Sequence, residues 1–126
     1  MSGRRLRPCP AKPNCVSTES TDPAKRMPAL RFEGEADKVH AAILEALGEA
    51  PRARVVEAEA DYIHAEFTTL LFRFVDDVEF AIDPALKRVD FRSASRVGYS
   101  DLGTNRRRME KLSRRLEGRA GLVRPS

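Results

Sequence analysis

Apolar and polar residues alternate along the middle of the chain, a pattern typical of β-strands. In the segment from Tyr62 to Phe67, the apolar side chains fall at every second position and would share one face. The same period of two recurs in Val78 to Ile82 and in Val89 to Ser93. Further strands are predicted from shorter or more continuous apolar runs, in Leu30 to Glu33, Arg54 to Glu59 and Leu70 to Val75.

Two segments instead show the spacing of three and four that is typical of an amphipathic helix. The first runs from Ala36 to Leu47, and Gly48 and Pro51 are expected to end it. The second runs from about Asn105 to Glu117 and has a thinner apolar stripe.

The order strand, helix, four strands, helix predicts an α+β fold. Short turns between successive strands favour an antiparallel sheet of about five strands, with two helices on one face. This order occurs in TATA-binding-protein-like and helix-grip folds, a likeness of fold that carries no function. We predict an irregular, proline-rich arm over residues 1–28, a single α+β domain over residues 29–118 and a tail over residues 119–126.

The chain has 126 residues, of which 41% are hydrophobic and 33% charged, the balance of one folded domain. No apolar run reaches the roughly 20 residues that span a bilayer. The basic segment from Met1 to Pro8 is not followed by the apolar stretch of a signal peptide. As written, the sequence predicts a cytoplasmic protein with no transmembrane segment, or an exported one if a leader was removed.

Cys9 and Cys15 are the two cysteines of the chain. Without a further cysteine or a histidine nearby, they make a poor zinc site. A disulfide across this short loop is sterically allowed, but a reducing cytoplasm favours free thiols. Both states stay open, and in either we expect the Cys9 to Cys15 segment to pack against the body of the protein.

The alternation on both sides of Pro84 predicts a hairpin with a turn from Asp83 to Lys87. If Ile82 lies opposite Val89, the same register puts Glu79 opposite Arg92 on the other face of the sheet. A shift by one residue would place apolar side chains against charged ones, so this register is favoured. The simplest interpretation of the charged pair is a cross-strand ion pair.

A cluster of polar residues close in sequence forms the candidate site: Asp76, Asp77, Glu79, Arg92, Ser95, Arg96, Tyr99, Asp101, Asn105 and Arg108. Arginine presents a planar fork that fits a carboxylate or a phosphate, so the cluster is either a site for a small anionic ligand or a set of structural ion pairs. Apolar residues surround the acids, and a buried carboxylate needs a cation beside it. We therefore expect the arginines to form ion pairs with these acids. The arginines also argue against a divalent cation, and we predict neither a metal nor a cofactor.

Other chemistry has little support. Ser93, Ser95 and Ser100 are candidate nucleophiles, but no motif pairs them with His40 or His64. The net charge is +4 and the last helix is basic, which raises the question of nucleic-acid binding. The chain has no Trp and two Tyr, too few aromatic residues for a single-strand stacking platform. The sequence therefore argues against a nucleic-acid partner.

Three motifs resemble those of the Domain of Unknown Function 1499 family, and the resemblance covers about Cys9 to Leu116. They are Cys9-Pro-Ala-Lys-Pro-Asn-Cys-Val-Ser, Phe74-Val-Asp-Asp-Val-Glu-Phe and Arg92-Ser-Ala-Ser-Arg-Val-Gly-Tyr-Ser-Asp-Leu-Gly-Thr-Asn-Arg-Arg-Arg. The family has no established activity, so the resemblance implies no mechanism. It does imply a compartment outside the cytoplasm for many members, which look exported or membrane-attached.

Three functions stay open. The favoured one is a non-enzymatic binding or scaffold domain with a protein partner or a small anionic ligand, because the sequence shows no nucleophile with its base. The first alternative is an enzyme acting on a small anionic substrate through the Asp/Glu/Arg cluster. The second is a nucleic-acid binder that uses the basic last helix.

Overall fold

The described residues, 6–70 and 73–124, form one antiparallel sheet and two α-helices in a computed structural model of the chain. The predicted α+β class and its order of elements are confirmed, and two short strands, one near each end of the chain, add to the predicted number. In chain order the elements are β1 (Cys15–Ser17), β2 (Leu30–Phe32), α1 (Ala36–Glu49), β3 (Ala53–Glu59), β4 (Tyr62–Thr68), β5 (Val75–Asp83), β6 (Arg88–Ser95), α2 (Thr104–Leu116) and β7 (Leu122–Val123).

Strand β6 is the junction of the sheet, whose strands lie in the order β3-β4-β5-β6-β2-β7. One edge of β6 pairs with β5 over eight residue pairs. Its other edge is shared by β1 and β2. The two N-terminal strands therefore pair with the same strand, and the C-terminal β7 pairs with β2.

One face of the sheet is covered by both helices and forms the core. On this face Phe80 lies opposite Ile63 of β4 and Phe91 of β6, and the two phenyl centroids are 6.3 Å apart. The apolar stripes of both helices belong to the same cluster, with Val39, Ala42, Ile43, Ala46, Leu47, Met109, Leu112 and Leu116 buried. Each large apolar side chain buried here stabilises the fold by about 1.5–3 kcal/mol. The opposite face carries no helix from the described chain, and we call it the outer face.

The predicted hairpin is confirmed. Glu79 lies opposite Arg92, and Ile82 lies opposite Val89. The Asp83 carboxylate accepts hydrogen bonds from the backbone N–H groups of Ala85 and Leu86, each at 3.0 Å, which closes the turn. The local capping that aspartate provides in turns thus fixes the register between β5 and β6.

Two predicted boundaries are wrong. Gly48 does not end α1, which continues to Glu49; the chain leaves the helix at Ala50, which has extended dihedral angles and precedes Pro51. A residue before proline is pushed out of the helical region, whereas a glycine is tolerated there. The predicted strand from Leu70 to Val75 is wrong for Leu70, Arg73 and Phe74, which precede β5, and the backbone N–H of Thr69 donates to the Phe74 carbonyl at 2.8 Å. Leu71 and Phe72 lie outside the described residues.

The prediction of an irregular N-terminal arm is wrong for Cys15–Ser17, which forms β1 and pairs with Ala94, Ser93 and Arg92 of β6. A strand of three residues is too short for its alternation to be recognised in the sequence. The free edge of β6 supplies the hydrogen-bonding partners that the sequence of the arm does not indicate.

The segment after Gly118, predicted as a tail, also adds a strand. Leu122 of β7 lies opposite Phe32 of β2 and is fully buried in the core cluster. The neighbouring Val123 is 48% exposed.

Strand β3 forms one end of the sheet and pairs only with β4 among the strands described. Its register shifts between Val55 and Glu57, which indicates a β-bulge. Most of its residues are exposed, since no strand of the described chain pairs with its free edge.

The C-terminal strand gives a direct test of the core boundary. We expect Leu122→Ala to lower the free energy of unfolding by about 2–5 kcal/mol, because it removes a fully buried side chain. Val123→Ala is the matched control and should cost less than about 1 kcal/mol, since its side chain is half exposed. Urea denaturation of both variants measures the difference. Equal losses would show that β7 is not part of the core.

Candidate functional site

The sheet divides the predicted polar cluster into two networks. Asp76 and Asp77 are consecutive on β5, so their side chains point to opposite faces. We call the set on the helix-covered face the inner network: Asn14, Asp76, Ser93, Ser95, Asp101, Asn105 and Arg108. The set on the outer face is the outer network: Arg7, Tyr62, His64, Glu66, Asp77, Glu79, Arg92 and Arg96.

Asn105 is the centre of the inner network and is fully buried. Its Oδ1 accepts from Ser93 Oγ at 2.5 Å and from Arg108 Nη1 at 2.8 Å. Its Nδ2 donates to Ser95 Oγ at 3.0 Å and to the Asn14 carbonyl at 3.2 Å. One amide side chain therefore joins α2, β6 and the N-terminal arm.

Arg108 brings a positive charge from α2 to the buried carboxylate of Asp76. Its Nη2 lies 2.8 Å from Asp76 Oδ2, and Asp76 is 1% exposed. The guanidinium carbon also lies 4.8 Å from the ring centroid of Phe67, a cation–π distance. Because a buried carboxylate without a cation costs several kcal/mol, this pair fixes α2 against β5.

Asp101 caps the start of α2. Its carboxylate accepts from the backbone N–H groups of Gly103 at 2.8 Å and Asn105 at 3.1 Å, and from Asn105 Nδ2 at 2.6 Å. The two backbone N–H groups have no carbonyl partner within the helix, and the helix dipole favours a negative charge at this end. An internal aspartate thus occupies the position that an anionic ligand would take.

On the outer face, Glu79 is almost fully buried and has three partners. Tyr62 donates its hydroxyl to Oε1 at 2.7 Å, while Arg92 Nη1 and Arg7 Nε reach Oε2 at 3.1 and 3.2 Å. Arg92 Nη2 also donates to the carbonyl of Pro8 at 3.3 Å. Burial lowers the pKa of Arg92 and the nearby Glu79 carboxylate opposes that shift.

Asp77 is held by a second set of outer-face partners. Arg96 binds both carboxylate oxygens at 2.8 Å, and His64 Nε2 lies 2.7 Å from Oδ1. An ionised carboxylate only accepts, so His64 Nε2 carries the hydrogen of this contact. Arg96 Nη2 also donates to Glu66 at 2.6 Å, and Arg54 donates to the other oxygen of Glu66 at 3.0 Å.

These contacts set the protonation states of the outer network. Burial alone would raise the pKa of Asp77, but the hydrogen bonds from Arg96 and His64 outweigh it and hold that pKa at about 2. The same arginine and Arg54 lower the pKa of Glu66. The hydrogen bonds that Arg96 donates to Asp77 and Glu66 raise the pKa of Arg96. Both acids are therefore carboxylates, and Arg96 is a cation, at neutral pH.

The N-terminal arm lies across the Glu79 and Arg92 part of the outer face, and a disulfide holds it there. Cys9 and Cys15 are joined, in place of the free thiols expected for a cytoplasmic protein. Cys15 is 3% exposed and belongs to β1, so the disulfide loop packs against the body as predicted. Within the same loop, the Asn14 carbonyl also accepts from the backbone N–H of Ser95 at 3.0 Å.

One predicted residue stands apart from both networks. Tyr99 is 71% exposed on the loop before α2. Conversely, the predicted cluster omitted six residues of the two networks: Arg7, Asn14, Tyr62, His64, Glu66 and Ser93. The alternation of β4 indicates Tyr62, since it shares a face with His64. Asn14 lies within the first family motif, whereas no pattern in the sequence indicates Arg7.

The three buried acids of β5 do not converge. Asp76 lies on the helix-covered face, and Asp77 and Glu79 are bound to different arginines on the outer face. Among residues 6–70 and 73–124, no three carboxylate, cysteine or histidine side chains are placed to hold a metal ion together. Nor does any helix in this part of the chain have the length and apolar character needed to cross a bilayer.

The low pKa of Asp77 predicts an acid-sensitive contribution to stability. Its pKa is about 2 in the folded chain and 3.8 as a free side chain, so its stabilisation is present above about pH 4 and is lost as the pH falls toward 2. We expect wild type to lose about 2 kcal/mol more than Asp77→Asn between pH 5 and pH 2, from the size of this shift. Glu110→Gln, which removes an exposed carboxylate of α2, should follow wild type. Urea titrations across this pH range measure the difference, and parallel curves for wild type and Asp77→Asn would contradict it.

The disulfide predicts a redox-dependent stability. Opening this short loop should lower the free energy of unfolding by about 2 kcal/mol, because the cross-link restricts the unfolded chain. Guanidinium denaturation with and without dithiothreitol measures the loss, and Cys9→Ser should show the lower value under both conditions. If dithiothreitol leaves wild type unchanged while mass spectrometry shows two free thiols, the disulfide does not stabilise the fold.

Comparison with known proteins places the chain in a family but gives no activity. The family model described as "Protein of unknown function (DUF1499)" matches residues 5–116, which include every residue of both networks. No curated protein matches the chain. The chain therefore belongs to the DUF1499 family of proteins of unknown function.

Proposed function

We propose that this chain is a non-enzymatic binding domain, in which the Asp/Glu/Arg cluster maintains the structure and does not act on a substrate. The observation that carries this proposal is that each buried acid of β5 is matched with its own arginine. Asp76 is paired with Arg108, Asp77 with Arg96 and Glu79 with Arg92, at 2.8, 2.8 and 3.1 Å. A substrate would have to displace these internal partners before it could bind the same groups.

The separation of Ser93 and Ser95 from the His64 imidazole also supports a non-enzymatic role. Ser93 and Ser95 face the helices, and Asn105 is hydrogen-bonded to both. His64 lies on the outer face, on the other side of the sheet. A nucleophile and its base must lie within hydrogen-bonding reach of one another, and the sheet lies between these two groups.

The protonation state of Asp77 argues against acid–base catalysis through the His64 contact. General acids and bases work best when their pKa lies near the working pH. The pKa of Asp77 is about 2, so its carboxylate is a weak base and carries no proton to donate at neutral pH. The arrangement orients His64 without giving it a reacting partner.

The basic helix supports a structural role over nucleic-acid binding. Arg106 donates to the carbonyl of Ala24 at 2.8 Å, and Arg107 donates to that of Leu102 at 3.0 Å. Arg115 lies 3.5 Å from Glu49 of α1. These cations hold α2 against the arm, its own preceding loop and α1, so they do not form a continuous row for phosphates.

The disulfide supports an oxidising compartment for this domain in place of the predicted cytoplasm. Disulfides persist outside the reducing cytoplasm, and here the disulfide holds the segment that contributes Asn14 to the inner network.

A double-mutant cycle tests the structural role of the cluster. We expect Asp77→Ala and Arg96→Ala each to lower the free energy of unfolding, with a coupling energy of about 1 kcal/mol or more, since the two groups share two hydrogen bonds. Glu45→Ala and Arg119→Ala form the matched control cycle on an exposed pair and should couple by less than about 0.5 kcal/mol. Small, additive losses at Asp77 and Arg96 would instead identify a cluster kept for a ligand, because binding residues commonly cost stability.

A further inference from the structure

A cleft of about 270 Å³ opens between α2, the end of β4 and the turn after α1, away from both polar networks apart from Arg108. Four basic residues line it, Arg52, Arg108, Lys111 and Arg115. The described lining contains no Asp or Glu. Three other clefts in the described chain also have cations and apolar residues in their linings, but each of those linings includes two acidic residues: Glu19 and Asp22, Asp22 and Asp101, or Glu35 and Glu45.

Two of the four cations are not neutralised within the described chain. Arg108 is paired with Asp76 at 2.8 Å, and Arg115 lies 3.5 Å from Glu49. Arg52 and Lys111 have no ion pair with any residue from 6–70 or 73–124. The cleft therefore has a net positive charge that no acid of the described chain neutralises. The arginines of the inner and outer networks, by contrast, are paired with acids.

The cleft also has an apolar wall. Phe67 at the end of β4 and Leu112 of α2 are mostly buried and belong to the core cluster, while Leu70 is 72% exposed at the rim. Pro51 lines the side formed by the turn after α1. An apolar lining with a few placed polar groups is the usual composition of a small-molecule site.

The frame around the cleft is held by backbone contacts. The Arg52 carbonyl accepts from the backbone N–H of Thr68 at 3.0 Å, which joins the turn after α1 to the end of β4. Arg52 has a left-handed φ of 61°, a conformation that needs support from its surroundings in a residue other than glycine. Thr69 Oγ accepts from the Phe74 N–H at 2.9 Å, which leaves its own hydroxyl hydrogen available as a donor.

We propose that this cleft binds a small amphiphilic anion, with a carboxylate or phosphate head at Arg52 and Lys111 and an apolar body along Phe67 and Leu112. The inference deepens the proposed binding role by naming the class of ligand, and it rests on that role. The volume lies just below the roughly 300–1,000 Å³ of typical ligand pockets, so the ligand is small. The absence of acids from the described lining favours anions over cations, and the apolar wall favours an alkyl or aryl group over a free inorganic anion.

Binding of four probes to the full oxidised chain tests both parts of the ligand. Octyl phosphate and octanoate carry the head and the body, octanol lacks the charge, and inorganic phosphate lacks the body. We expect calorimetry to show tighter binding of at least one amphiphilic anion than of octanol or inorganic phosphate, by ~10-fold or more, the effect of about one charge-assisted hydrogen bond. Tighter binding of octyl phosphate than of octanoate would assign a phosphate head group to the ligand. Tighter binding of octanoate would assign a carboxylate. The inference is wrong if octanol or inorganic phosphate binds as tightly as the better of octyl phosphate and octanoate. It is also wrong if neither octyl phosphate nor octanoate binds.

Variants locate the binding within the molecule. Lys111→Ala should weaken binding of the preferred amphiphilic anion ~5- to 10-fold, since it removes an unpaired cation of the cleft. Arg114→Ala is the matched control, because it removes the same charge from an exposed position on the same helix that does not line the cleft. Equal weakening by the two variants would show that the anion responds only to the overall charge of α2 and not to the cleft, which would overturn the inference. Leu70→Ser should weaken the amphiphilic anion and leave inorganic phosphate unchanged; an equal effect on both would contradict the apolar contact.

The outcome separates this inference from the proposed function. Phosphorus NMR of octyl phosphate with the protein reports hydrolysis independently of binding. Release of inorganic phosphate that Lys111→Ala abolishes would overturn the non-enzymatic role and leave the cleft as a site for the anion. Loss of probe binding, with the Asp77 and Arg96 coupling intact, would overturn the ligand class alone.

Discussion

The register between β5 and β6 is the constraint on which the other contacts depend. It places Glu79 opposite Arg92 and Asp76 opposite Ser95, and neighbouring positions along each strand face opposite sides of the sheet. One pair of strands therefore supplies polar residues to both faces at once. A shift by one residue would put the outer-face charges under the helices and the apolar residues on the outer face. The Asp83 turn prevents that shift by fixing the end of the hairpin.

Each buried acid of β5 obtains its cation from a different part of the chain. Arg92 comes from β6 itself, Arg96 from the loop that follows, and Arg108 from α2. A buried carboxylate is tolerated only with its partner in place, so correct placement of the loop and of α2 is coupled to correct pairing of the sheet. The Asn14 carbonyl extends this coupling to the arm, because it binds both Asn105 and the end of β6.

The sequence was informative where many residues repeat one pattern. Alternation over β5 and β6 predicted the hairpin register, and the helix stripes predicted which residues are buried. It was uninformative for β1 and β7, since two or three residues show no period and their positions are set by the free edges of β6 and β2. The candidate site was predicted as one cluster because its residues are close in sequence. Alternation separates Asp76 from Asp77, and applying it to the acids would have revealed two networks.

The bulge in β3 affects whether the edges of two copies of the protein can pair. A straight edge strand with free backbone groups invites pairing with another chain and the growth of extended aggregates. At this edge the register shift between Val55 and Glu57 interrupts the regular row of backbone groups. Arg54, Glu57 and Glu59 add charges of both signs along the same strand. An incoming strand would meet an irregular, charged edge, so β3 protects the sheet from polymerisation although it leaves Val55 and Val56 more than one third exposed.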